Sequence, residues 1–188
     1  MTTIERRGQR IRVLYSSEEI AARNSEIASE IGDRAGPQPL VIAILKGSFV
    51  FAADLLRALY AAGLSPEVEF MSLSSYGAGT ESSGRVTVLR DIDSEVKGRT
   101  VILIDDILES GRTLAYAKDL LAARGAGAVL TCVLLDKPGK RAADINPDFI
   151  GFTCPDLFVV GYGMDVAHAF RELPFVGVVE GRAAEDGD

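Results

Sequence analysis

Two stretches of this chain, Leu40–Leu45 (LVIAIL) and Val101–Ile104 (VILI), are apolar at every position. A strand with one face in water alternates apolar and polar residues, whereas a strand covered on both faces need not. These runs therefore commit the chain to a sheet enclosed between two layers. Each is followed by a stretch with helical spacing. After the first comes FVFAADLLRALYAAG, with Gly63 as its stop, and after the second comes Thr113 to Arg124, ended by Gly125. Near the N-terminus, Ser16 and Glu19 have capping-box spacing, which predicts a helix from there to about Ile31. Further strands are predicted at residues 11–15, 67–73, 86–89, 128–135, 149–152, 158–161 and 175–179. Strands alternating with helices imply right-handed crossovers, so the fold class is α/β, with a mainly parallel twisted sheet flanked by helices. The last strands have little helix between them. A small hood subdomain, built from the N-terminal and C-terminal segments, is expected there. With no repeat and no linker, residues 1–188 suit a single domain.

Composition narrows the function. Apolar residues make up 47% and charged residues 25% of the chain, a globular balance rather than a disordered one. No apolar run approaches the roughly 20 residues of a membrane span, and MTTIERRGQR lacks the apolar core of a signal peptide. Cys132 and Cys154 are the only thiols, too few for a disulfide framework, so a cytoplasmic location is expected. The net charge of −7 argues against a dedicated nucleic-acid binder, which needs a basic footprint.

The apolar run at Val101–Ile104 leads straight into Asp105 and Asp106. Two ionised neighbours repel unless something polar or cationic engages them. In a parallel sheet, ligands gather beyond the C-terminal ends of strands. Two vicinal sugar hydroxyls suit the pair, since each carboxylate can accept a charge-assisted hydrogen bond, and magnesium could sit beside them. Ser110-Gly111-Arg112-Thr113 follows, just ahead of a helix. Free amides at a helix start, two hydroxyls and a glycine make an anion cradle. Either piece alone is often a plain turn or cap. Joined in this order, they describe a site for a ribose phosphate. There is no G-x-x-x-x-G-K-[ST] loop and no G-x-G-x-x-G after a strand, so an NTPase or dinucleotide enzyme is poorly supported.

VILIDDILESGRTL closely resembles the phosphoribosyl pyrophosphate motif of type I phosphoribosyltransferases. More of the chain, roughly residues 40–180, resembles the hypoxanthine-guanine branch of that family. Leu45-Lys46-Gly47-Ser48 is similar to its pyrophosphate loop, and Ser75-Tyr76 to the start of its mobile catalytic loop. Lys137 in LLDKPGKR, FVVGYGMD (158–165) and FRELP (170–174) match its purine and pyrophosphate regions in family order.

The resemblance implies transfer of phosphoribosyl from phosphoribosyl pyrophosphate to a 6-oxopurine, with magnesium as cofactor. It implies that Asp105 and Asp106 engage the ribose hydroxyls directly or through the metal. Ser110, Gly111, Arg112 and Thr113 would hold the 5′-phosphate. Lys46, Gly47 and Arg171 would face pyrophosphate, and Asp165 would hold a second magnesium. Glu109 would be the base at purine N7, where the family usually carries Asp. Lys137 would donate to O6, Phe158 would stack on the base, and the Val159 carbonyl would meet its edge. The family often has a cis peptide at the position of Leu45-Lys46. Residues 76–85, with Gly77, Gly79 and Gly84, suit a lid that excludes water. His168 reads as a surface residue. A homodimer or homotetramer is expected, with no nucleic acid and no membrane as partner. A xanthine-preferring sister enzyme and a nucleotide-sensing regulator on the same fold are the competing readings.

Overall fold

The computed structural model describes residues 2–75 and 86–181. In chain order the elements are β1 (Thr3–Arg6), β2 (Gln9–Tyr15), α1 (Ser17–Ala35), β3 (Leu40–Leu45), α2 (Phe49–Ala61), β4 (Glu67–Ser75) and β5 (Val86–Arg90). They continue with β6 (Thr100–Leu108), α3 (Arg112–Ala123), β7 (Ala128–Asp136), β8 (Phe149–Thr153), β9 (Val159–Val160) and β10 (Val176–Val179). A six-stranded sheet has the order β5-β4-β3-β6-β7-β8, and a four-stranded sheet has the order β1-β2-β10-β9. The larger sheet is parallel except for β5, which runs antiparallel to β4.

The unbroken apolar runs lie in the middle of this sheet for the reason their sequence implies. Val41, Ala43, Ile102 and Ile104 face α1 and α2, meeting Ile27, Ile31, Phe51, Leu55 and Leu59. Leu40, Ile42, Val101 and Leu103 face the other way, against Leu114, Ala117 and Leu121 of α3. Successive residues of a strand point to opposite faces, so each strand feeds two cores at once. Each such Leu or Ile removed from water contributes about 1.5–3 kcal/mol.

Helix α1 outruns its predicted end at Ile31 and continues through Gly32 to Ala35. Gly32 does not stop it, since its backbone stays out of the left-handed region, and Leu64 packs over it with Cδ1 3.3 Å from where a Cβ would lie. The stop is Gly36 at φ 77°, followed by Pro37. At the other end the capping box forms as its spacing predicts: Ser16 Oγ accepts from the Glu19 amide, and Glu19 accepts from the Ser16 amide.

Strand β6 also exceeds its predicted end. It runs past Ile104 to Leu108, so Asp105 and Asp106 lie within the strand and not beyond it. The register explains why. On one side β7 keeps pairing, with Asp105 opposite Val133, Ile107 opposite Leu135 and Leu108 opposite Asp136. On the other side the last pair with β3 is Ala43 opposite Ile104. The carboxylates therefore occupy a strand with one open flank.

The smaller sheet joins the two ends of the chain, with β2 and β10 antiparallel. Strand β1 had no sequence signal, since TIER carries one apolar residue and gains its partner only through β2. Tyr15 fastens this sheet to the larger one by stacking on Phe152 at 4.1 Å between ring centres and donating to the Thr153 carbonyl. Replacing Ser16 by Ala should cost about 1 kcal/mol by removing the cap of α1. Thermal unfolding should show a Tm lower by roughly 2–4 °C, and an unchanged Tm would mean the cap does not stabilise the fold.

Candidate active site

The open flank of β6 faces the loop that leaves β3. The Leu45–Lys46 peptide is cis. Gly47 follows, and a Cβ placed on it would overlap the Asp106 carboxylate. The loop is held there by Ser48, fully buried, whose hydroxyl donates to the Ile44 carbonyl and whose own carbonyl starts the ladder of α2. Lys46 itself is exposed at the rim.

Asp105 is 9% exposed, and its Oδ1 accepts from the Asp106 amide at 3.0 Å. Burial first, and then the neighbouring Asp106 charge, push the Asp105 carboxyl well above the ordinary aspartate value. The side-by-side acids are thus held in a state that a cation or hydroxyl donors would relieve.

Directly beyond, Gly111 caps α3 in the left-handed region at φ 79°. A Cβ on Gly111 would lie 2.7 Å from Ile145 Cγ2 and 3.1 Å from Arg141 Cδ. Only glycine suits both the dihedral and the packing. The Ser110 carbonyl accepts from the amides of Ala142 and Ala143, which pins the turn from behind. Asp105, Glu109, Ser110, Gly111 and Thr113 line a cavity of about 210 Å³ at the start of α3, where first-turn amides lack helical partners. The Arg112 side chain is exposed, and its amide lies 3.5 Å from Ser110 Oγ.

Lys137 follows β7 and is 7% exposed. Its Nζ donates to the Leu157 carbonyl at 2.8 Å and stands 3.8 Å from Glu109 Oε1. Two residues far apart in sequence therefore present an ammonium and a carboxylate side by side. Phe158 is half-buried against the cluster of Ile11, Val160, Ala169, Phe170 and Leu173. Val159 is buried and pairs with Val178.

On the far side of the Lys46–Ser48 loop, the Gly163 main chain approaches so closely that a Cβ there would overlap the Gly47 carbonyl oxygen. Arg171 Nη1 donates to the Gly163 carbonyl at 2.6 Å, and its Nη2 meets Asp165 Oδ1 at 2.6 Å. Asp165 Oδ2 accepts the His168 amide at 2.8 Å. His168 is exposed, as its sequence context implied.

Asp105 and Asp106 thus share one place and Asp165 another. Among the described residues no group of three or more His, Cys, Asp or Glu could hold a metal ion. The donor set still fits magnesium, which takes one or two carboxylates and completes its octahedron with water and phosphate oxygens. Ser75 ends β4, while Tyr76 and the rest of the expected lid, 76–85, lie outside the described residues. Sequence reasoning missed Arg141, which pairs with Asp136 and donates to the Ile145 carbonyl at 2.8 Å, bracing the loop behind Gly111. LLDKPGKR offers several cations, and nothing local marks Arg141 as the one that braces this loop.

The phosphoribosyl transferase domain model matches residues 12–167. A hypoxanthine-guanine phosphoribosyltransferase of Streptococcus agalactiae is 42% identical over 170 residues, covering 90% of this chain and 93% of that one. Its counterpart in Bacillus subtilis is 44% identical over 170 residues, covering 90% of this chain and 93% of that one. A solved hypoxanthine-guanine phosphoribosyltransferase of Bacillus anthracis superposes with a TM-score of 0.83 at 43% identity, covering 89% of this chain and 97% of that one.

The raised Asp105 carboxyl has a consequence for stability. Between the ordinary value of 3.8 and its raised folded value, the native state holds a proton that the unfolded state has released. Stability from this group therefore falls as pH rises through that window. Asp105→Asn should raise the Tm of the ligand-free protein at pH 7, by a margin that shrinks towards pH 4. A margin that is flat with pH would remove Asp105 as the source.

Proposed function

We infer the activity from one premise: the chain belongs to the phosphoribosyl transferase family. It is a purine salvage enzyme that moves phosphoribosyl from phosphoribosyl pyrophosphate to hypoxanthine or guanine, giving IMP or GMP and pyrophosphate. The observation that carries the choice of base is the Lys137–Glu109 pair, 3.8 Å apart, with the lysine buried and the acid half-buried. O6 and N7 are neighbours on one edge of a 6-oxopurine. An ammonium beside a carboxylate offers that edge a donor for O6 and an acceptor for the N7 proton. Adenine would bring its amine against the ammonium, donor against donor.

The remaining roles belong to the same reading. Asp105 and Asp106 hold the ribose hydroxyls, and the amides from Ser110 to Thr113 with the Thr113 hydroxyl hold the 5′-phosphate. Lys46, the Gly47 main chain and Arg171 face pyrophosphate, with the guanidinium fork suited to its oxygens. Phe158 stacks on the base and the Val159 carbonyl meets its edge. Magnesium would be held by Asp105 and Asp106, with Asp165 on the pyrophosphate side, and would offset the charge of the leaving group. Ser75 and Tyr76 open the lid. The four-stranded sheet serves as the hood of a single domain. The enzyme works in the cytoplasm as a homodimer or homotetramer. A nucleotide sensor that performs no transfer would gain nothing from an acid set beside a buried lysine, so the regulatory reading is the weaker one.

Pyrophosphate release, assayed with magnesium and five bases, should appear with hypoxanthine and guanine and be absent with adenine and uracil. Xanthine as the preferred base would favour the sister enzyme, and silence with all five would favour the regulator. Glu109→Gln keeps shape and removes the base. It should lower kcat on the order of a hundredfold while phosphoribosyl pyrophosphate affinity stays within about twofold. Unchanged turnover would take Glu109 out of the mechanism.

A further inference from the structure

Tyr162 lies on none of the surfaces assigned above. It is 4% exposed and sits between Gly161 and Gly163 in a run of three left-handed residues, with φ of 92°, 50° and 98°. A tyrosine adopts that conformation rarely and only where its surroundings impose it. Its amide donates to the Leu173 carbonyl, and the next amide, of Gly163, donates to the Arg171 carbonyl. Its hydroxyl donates to Asp54 Oδ2 at 2.8 Å and accepts from Asn24 Nδ2 at 3.0 Å. Asp54 stands on α2, the helix that starts directly after Lys46-Gly47-Ser48, and Asn24 stands on α1.

Both flanks of the pyrophosphate end therefore meet at one oxygen atom. From Tyr162, the main chain runs through Gly163, which touches the Gly47 carbonyl, to Asp165 and its partner Arg171. From Asp54, α2 runs back to the loop itself. We propose that the Tyr162 hydroxyl is a positioning group that locks the Lys46–Ser48 loop to the Gly163–Arg171 segment, and so sets the geometry of the pyrophosphate subsite. The proposal rests on the transferase reading above.

Two further features agree with it. Burial, then the bond to Asp54, push the phenol well above its ordinary range, so the hydroxyl remains a donor at any working pH. Asn24 is 3% exposed, yet its Oδ1 has no partner among the described residues. Leaving a buried carbonyl oxygen unpaired is costly, and here the same amide spends its nitrogen on Tyr162.

A tyrosine that merely fills the core predicts something different from one that spaces two loops, and two ligands separate the cases. Phosphoribosyl pyrophosphate uses the pyrophosphate subsite. IMP uses the 5′-phosphate cradle and the purine pocket but not that subsite. Calorimetry on the full chain with magnesium should show Tyr162→Phe weakening phosphoribosyl pyrophosphate about tenfold, the loss typical of one hydrogen bond to a charged group, with IMP within about twofold. Asp54→Asn, which keeps the ring and weakens the acceptor, should shift the same ligand in the same direction by less. Equal losses for both ligands, or no loss for either, would overturn the proposal. If Tyr162→Phe does not fold, the Asp54→Asn result decides by the same criterion. The unaltered protein is the control for the underlying activity. Binding of phosphoribosyl pyrophosphate with pyrophosphate release upholds the transferase reading whatever the variants do, and failure of both overturns both readings.

Discussion

Beyond Ile104, strand β6 keeps β7 on one side and loses β3 on the other. Everything at the site depends on that unequal pairing. A carboxylate inside a fully paired sheet would be trapped between apolar layers. At the open flank, Asp105 and Asp106 retain the strand's rigidity and still reach a cleft. The loop leaving β3 fills part of the vacated space, and it can do so because Gly47 has no side chain to collide with Asp106.

Close main-chain approach is the recurring device. Gly47 lies against Asp106, Gly163 against the Gly47 carbonyl, and Gly111 against Ile145 and Arg141. Each contact sets the spacing between two loops at the point where a side chain would have pushed them apart. What remains open between them is the cavity at the start of α3, where first-turn amides lack helical partners, and the rim around Lys46. The free energy spent on the buried Asp105 carboxyl and a left-handed tyrosine is offset by the two cores, which take alternate residues of the same strands. Rigid strands thus carry a site that is itself locally unfavourable, a division common where strain serves function.

The sheet was legible because burial on both faces leaves a mark at every position of β3 and of residues 101–104 in β6. Helix ends were less so. Helix α1 was expected to end near Ile31, yet it passes Gly32, whose backbone is not left-handed, and stops only at Gly36. Strand β1 was invisible, since nothing in TIER requires a partner until β2 supplies one. Asp105, Asp106 and the Ser110–Thr113 turn stand within one short stretch, so their chemistry could be read as a unit. Arg141, Tyr162 and Gly163 could not, because each matters through what it touches from another part of the chain.

Local order along the chain decided where the central strands run, where the acid pair and the glycine turn ahead of α3 lie, and that the two adjoin. Those are consequences of spacing, which a linear sequence records. Only tertiary structure decided that Lys137 stands beside Glu109, that Gly47 stands against Asp106, and that the Tyr162 phenol bridges Asp54 and Asn24. Such meetings depend on where β3 stops pairing and on how two loops pack, and no single segment carries that distance in its own residues.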